Sequence, residues 1–239
     1  MGTTSELHVE GAVIWYDAAI FSPMEPRIFE PDWLRDQGNL RGSSLGRSEA
    51  HFLHYSDRDM VLRHFQRGGI VGKLIRDRYI KTRIRRSRAM REFTLLDWMY
   101  TQGMLVPRPL AARHFPSGPF YRADLITERI PDARPLAEIL LERALPDRNW
   151  FTIGAAIGRM HSLSVYHADL NCRNILLDAG ERAWLIDFDK CGMRAPGRWM
   201  KRNLSRLQRS FEKERHLRPG FKWAAEDWAS LLSGYARWA

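Results

Sequence analysis

Residues 166–190, YHADLNCRNILLDAGERAWLIDFDK, constrain the fold of this chain more than any other stretch. Two short apolar runs rich in strand formers, at 175–177 and 183–186, flank the turn-forming DAGE at 178–181, and that pattern is a hairpin. His167, Asp169 and Asn174 precede one strand, and Asp187 follows the other. Folding the hairpin therefore brings three oxygen-bearing side chains together. Hard oxygen ligands suit divalent cations on a nucleotide, and a further carboxylate remains to orient a hydroxyl.

The spacing H-x-D-x-x-x-x-N, continued by an apolar strand into D-F-x, is the one that kinases use. Upstream, 12–16 and 60–65 read as strands. Gly38, Gly42 and Gly46 precede an alternating run, so a glycine-containing hairpin can lay N–H groups over phosphates. Glu92, Leu95, Leu96 and Met99 share one helical face. A carboxylate on an apolar stripe requires a cation, with Arg63 or, four residues back, Arg88 as the candidates. Residues 103–115 leave this helix for a strand, and 121–135 run from a strand into a linker at Glu128–Ile130. That linker divides residues 1–127 from 128–239. Pro135 opens a helix, a second covers 149–163 with Trp150, Ile153, Ile157 and Met160 inward, and a third covers 198–215 around Leu204, Leu207 and Phe211. The last is built around Trp228, Leu231, Leu232 and Tyr235. The fold class is α+β: a small β-rich N-terminal lobe with one main helix and a mainly helical C-terminal lobe.

The formal charge of +10 implies an anionic partner, whether nucleic acid, phosphorylated substrate or acidic membrane surface. It is concentrated in two runs. Residues 73–91 hold nine Lys/Arg against Asp77, and 194–215 hold eight against two acids. A nucleic-acid-binding module is disfavoured because the acidic set is intact and there is no aromatic ladder for base stacking. Cys172 and Cys191 make neither a disulfide framework nor a zinc spacing. The N-terminus lacks the pattern of a signal peptide, and Gly, Arg or Pro breaks every apolar stretch before it could span a bilayer. The expectation is a soluble or peripheral protein of a reducing compartment.

Beyond the central stretch, VLRHFQRGG (61–69), RAMREFTLLDWM (88–99), YRADLITERI (121–130) and NLSRLQRS (203–210) complete a resemblance that runs over most of the chain. It resembles the bacterial lipopolysaccharide-core sugar kinases of the protein-kinase-like superfamily, and most of all the 3-deoxy-D-manno-octulosonic acid (Kdo) kinases. HADLN followed by IDFDK, together with VLRHFQRGG, narrows the resemblance to that group. It implies ATP and Mg2+, with Asp169 orienting the acceptor hydroxyl and Asn174 and Asp187 as magnesium ligands. Gly42, Gly46, Glu92 and the adenine-binding hinge Glu128–Ile130 complete the nucleotide set. Arg63 stands where most kinases have a strand lysine, which leaves Arg63 or Lys73 to grip the phosphates. Arg173 either stabilises the transferring phosphoryl group or makes a structural salt bridge. His167 is a scaffold residue, and Asp189, in place of the glycine of D-F-G, is a third ligand or a local cap.

Two departures bear on the acceptor. Ala168 replaces the arginine that reads a phosphorylated activation loop, and the chain after Asp187 reaches APG (195–197) with little room for a peptide-binding segment. Both favour a small or glycosidic hydroxyl. The resemblance implies transfer to O-4 of Kdo on a lipid A precursor, with a core heptose as the alternative acceptor. It places the enzyme peripherally at the cytoplasmic side of the inner membrane, its basic runs on the anionic leaflet. Neither nucleic acid nor an obligate protein partner is expected.

Overall fold

The computed structural model describes residues 4–45, 49–65, 79–80, 84–117 and 120–238. The chain forms two compact units, Met1–Trp98 with Arg108–Arg129, and Met99–Pro107 with Ile130–Ala239.

The first unit is an antiparallel sheet. Its strands are β1 (Thr4–Val9), β2 (Ala12–Asp17), β3 (Leu40–Leu45), β4 (Glu49–Tyr55), β5 (Arg58–His64), β6 (Tyr79–Ile80), β7 (Pro109–Ser117) and β8 (Phe120–Glu128). They pair in the order β1-β2-β7-β8-β5-β4-β3, with β6 on the start of β8. Strand β8 is central, and its run Ala123–Thr127 is buried without alternation because both faces are covered. On one face Ile14, Met60, Leu62, Leu110 and Ile126 meet Phe21, Ile28, Phe29 and Leu34. Those last four come from the proline-broken stretch before β3, which folds into a single turn at Pro26–Phe29 and the short helix α1 (Pro31–Asp36). Proline fixes φ near the helical value at a first turn, and burial of each large apolar side chain contributes about 1.5–3 kcal/mol. Burial against the sheet, more than helix propensity, holds this segment.

A charged row crosses the same face. Buried Asp124 accepts from Arg113 Nε at 2.6 Å and meets His64 Nδ1 at 2.5 Å, while Arg113 Nη1 reaches Glu30 at 2.5 Å. Helix α2 (Arg88–Thr101) carries Phe93, whose ring meets Trp15 edge-on at 6.3 Å. Successive strand residues alternate faces, so Arg63 points away from Leu62 and meets Glu92 of α2.

The second unit contains the helices α3 (Leu136–Glu142), α4 (Asp147–Ser162), α5 (Arg198–Leu217) and α6 (Ala225–Ala236). Its small sheets are β9 (Arg134–Pro135), β11 (Ile175–Leu177) and β12 (Ala183–Leu185) in one, and β10 (Val165–Tyr166) with β13 (Gly192–Met193) in the other. The β11–β12 turn is set by Asp178, whose carboxylate accepts from Gly180 N and Arg182 N, both at 3.0 Å, and from Trp184 Nε1 at 2.9 Å. Trp150 of α4 is fully buried edge-on to Phe211 of α5, and Trp223 stacks on the same ring.

Helices α4 and α6 approach backbone to backbone. A Cβ at Gly154 would lie 1.8 Å from Leu231 O, and one at Gly234 would lie 1.9 Å from Phe151 O. The apolar pattern of α6 is accordingly only half used. Leu231 is buried, Trp228 and Tyr235 are half-buried, and Leu232 is exposed, because glycine makes the close contact. Gly154→Ala or Gly234→Ala should therefore push the helices apart and lower stability by about 3 kcal/mol, the upper range for an overpacked core. Urea unfolding would measure it, and a loss under about 0.5 kcal/mol would contradict so close a helix pair.

Candidate active site

Asn203 sits on the buried stripe of α5 with Leu207, Phe211 and Glu214. Its Nδ2 donates to His167 O at 2.8 Å, and its Oδ1 accepts from His167 N at 3.2 Å. One amide thus satisfies both backbone groups of the residue that opens the catalytic loop, groups that would be costly to bury unpaired. The His167 ring is fully buried and packs on Phe188 at 4.8 Å. Burial pulls its pKa below the ordinary histidine value, so the ring is neutral. With the proton on Nε2, it donates to Ile186 O at 3.0 Å and accepts from Asp169 N through Nδ1 at 3.2 Å. His167 therefore couples the catalytic loop to the strand exit carrying Asp187, and carries no proton to solvent.

The loop is tied again further along. Asn174 Nδ2 donates to Asp169 O at 2.9 Å, and Ile186 N donates to Asn174 O at 3.1 Å. The Asn174 amide nitrogen is thus engaged, and its oxygen is the remaining acceptor of the side chain. Asp187 follows Ile186 directly and takes a left-handed backbone, φ 64°. Such a conformation costs about 1–3 kcal/mol in a non-glycine residue and persists only where its surroundings impose it. Cys191 supplies part of that constraint: its sulfur accepts from Ala168 N at 3.1 Å and lies 3.5 Å from Asp189 O. Cys172 is buried too, and burial pushes its thiol up to about 11, so it serves packing.

Two arginines lie near the loop, and Arg173 makes the structural salt bridge that was one of its two expected roles. Arg173 turns onto α5, with Nε 3.0 Å and Nη2 2.8 Å from Glu214, which also holds Arg218 at 3.0 Å. The cation on Asp169 is Arg206, whose Nη1 lies 3.1 Å from Oδ1; both side chains are about half exposed, at 47% and 51%. Sequence reasoning missed Arg206 and Asn203. The only signal for Asn203 was a polar residue recurring on the apolar stripe, and Arg206 lies 37 positions from its partner.

In the first unit Arg63 Nη1 is 2.8 Å from Glu92 Oε1, and the Glu92 side chain is buried. Gly42 lies within β3, at its irregular pairing with β4, and not in a loop. Glu128 N donates to Arg108 O and Arg129 N to Asp59 O, whereas Ile130 N donates to no group among the described residues. Gly46 and Lys73 lie outside the described residues.

A sheet-based unit with one long helix and a Glu–Arg pair, then a helical unit carrying His167, Asp169, Asn174 and Asp187 on two tied loops, defines a protein-kinase-like fold. The model of the lipopolysaccharide kinase (Kdo/WaaP) family matches residues 31–235, and the chain belongs to that family. Proteins named 3-deoxy-D-manno-octulosonic acid kinase are similar along nearly their full lengths. The one from Photobacterium profundum is 41% identical over 96% of this chain and 97% of its own. That of Vibrio cholerae is 40% identical over 93% and 94%, and that of Haemophilus influenzae strain Rd 40% over 87% and 89%. Among solved structures, WbdD with the kinase inhibitor LY294002 aligns at a TM-score of 0.49 and 16% identity, over 83% of this chain and 45% of that one. That overlay is too loose to argue from.

His161 joins the same network, with Nε2 3.3 Å from Asn203 Oδ1 and Nδ1 2.9 Å from Tyr235 Oη, and burial lowers its pKa to about 4. Unfolded, it would titrate near 6.5. Between these values the unfolded chain binds the extra proton, so stability falls as pH falls through that window. Urea unfolding should show about 2 kcal/mol less stability at pH 5 than at pH 7 from this group, with His167 acting in the same direction. His161→Asn should flatten the profile; an unchanged profile would contradict a neutral buried imidazole.

Proposed function

We propose that this chain transfers the γ-phosphoryl group of ATP to O-4 of a Kdo residue carried on a lipid A precursor. The observation that carries the reading is the carboxylate of Asp169, half exposed at the head of a loop otherwise locked by His167 and Asn174. It belongs to a chain about 40% identical, nearly end to end, to proteins named Kdo kinases.

Asp169 accepts the hydrogen bond of the acceptor hydroxyl and aligns its oxygen for in-line attack, so most of the catalysis is positioning. Asn174 Oδ1 and the Asp187 carboxylate fit Mg2+, which takes hard oxygens and is usually held by one or two protein ligands beside substrate phosphates. When bound, the ion neutralises charge on those phosphates. The proposed set is these two oxygens with the nucleotide's own. Arg63 of the first unit, oriented by Glu92, is the phosphate-binding cation, and the N–H of Ile130, the first residue after that unit, is the donor to adenine. Gly42, Gly46, Lys73 and Glu128 complete the nucleotide set.

No helix among the described residues is long and apolar enough to cross a membrane. The proposed location is peripheral, on the anionic inner leaflet, where each Lys or Arg near an acidic surface contributes about 1 kcal/mol.

The test is incubation with MgATP and a Kdo-bearing or a heptosylated lipid A precursor. Mass spectrometry should show one added phosphate on the Kdo-bearing acceptor, and NMR should place it at O-4. Transfer confined to the heptosylated acceptor would overturn the reading. Asp169→Asn should lower kcat about 100-fold or more, the range for loss of a positioned proton acceptor, with KM for ATP little changed. Activity near wild type would remove Asp169 from the mechanism.

A further inference from the structure

Helix α5 presents an arc of cations beside its buried stripe. At 100° per residue, Arg198, Arg202, Arg206, Arg209 and Lys213 fall on one side, next to Asn203 and Glu214. All five are exposed. Among the described residues only Arg206 of the five has a carboxylate partner, and that partner is Asp169. Like charges at i,i+4 destabilise a helix, so an unneutralised arc of this length favours an anion.

Arg206 stands apart within the arc. A guanidinium carries five N–H donors; one of them is on Asp169 Oδ1 at 3.1 Å, and the half-exposed side chain has the others for a second acceptor. Arg173, the cation within the loop itself, is committed to Glu214 through two nitrogens. The cation beside the acceptor hydroxyl is therefore Arg206. An acceptor hydroxyl at Asp169 brings its neighbouring substituents to this guanidinium. A 2-ulosonic acid carries a carboxylate on C2, two ring carbons from O-4, and a planar carboxylate takes paired N–H bonds from a guanidinium. A heptose has no such group.

We infer that Arg206 is the specificity-determining residue of the acceptor site, binding the sugar acid's carboxylate while its other edge holds Asp169. Arg202 and Arg209, one turn to either side, continue the site toward the phosphates of the glycolipid. This rests on the reading of the chain as a Kdo kinase. It explains discrimination between two sugars through a charge that one of them lacks.

The experiment compares kcat/KM on the Kdo-bearing lipid A precursor and on the same acceptor with the Kdo carboxyl converted to its methyl ester. Wild type should lose about 10- to 100-fold on the ester, the range for a hydrogen bond to a charged group. Arg206→Gln should lose a similar factor on the acid and little more on the ester, so the two losses do not add. KM for ATP should stay unchanged, Arg206→Lys should restore part of the activity, and Lys222→Gln, an exposed cation outside both basic runs, should match wild type. An equal loss by Arg206→Gln on both acceptors would mean that Arg206 acts only through Asp169, and the inference fails while the kinase stands. Wild type indifferent to the ester overturns it without any variant. Turnover of neither acceptor by wild type overturns the functional reading and this inference with it.

Discussion

The second unit depends on one buried amide. Asn203 gives both of its polar atoms to the backbone of His167, and its oxygen also faces His161. From there the order propagates by hydrogen bonds alone: His167 to Ile186 O, Ile186 N to Asn174 O, and Asn174 Nδ2 to Asp169 O. Each step joins a loop to a strand end, so the two aspartates and the asparagine stand on one connected framework. In a low-dielectric interior a fully satisfied network of this kind is rigid, and a partly satisfied one is costly. The left-handed backbone at Asp187 is what such a framework can impose.

Neutral imidazoles make the framework possible. A charged His167 would need a counter-charge inside the core, and Asp169 and Asp187 would be drawn to it. Burial keeps His167 uncharged, so it spends both ring nitrogens on the backbone. The cations are segregated as well. Glu214 takes Arg173 and Arg218 on α5, while Arg206 alone of the neighbouring arginines reaches Asp169.

Local chemistry made much of this legible in the sequence. The turn residues DAGE set the hairpin, helical periodicity set α2 and α4, and the spacing from His167 to Asp187 set the loops. What escaped was non-local. The β1 strand TSELHV buries little and carries no continuous apolar run, and α1 is held by a core that a short proline-bounded segment does not announce. The pairing of Arg173 with Glu214 spans 41 residues, and that of Arg206 with Asp169 spans 37. Side-chain direction across such distances is a property of the packed fold. Gly154 and Gly234 were silent for a related reason: their value lies in the absence of a side chain against another helix's backbone.

The span that follows Asp187 is short. Only Phe188 to Gly197 separate Asp187 from the start of α5, and β13 within that span pairs back onto β10, which leads into His167. A long peptide-binding segment there would insert freedom between Asp187 and the next helix. Its absence makes α5 the immediate neighbour of the catalytic loop, and one turn of that helix then does two things. Asn203 points inward and fixes His167, and Arg206, three residues on, points outward to Asp169. Because i and i+3 lie on adjacent helical faces, the residue that anchors the loop and the residue that meets its carboxylate cannot move independently. The position of the Asp169 carboxylate is then set by the rigidity of α5.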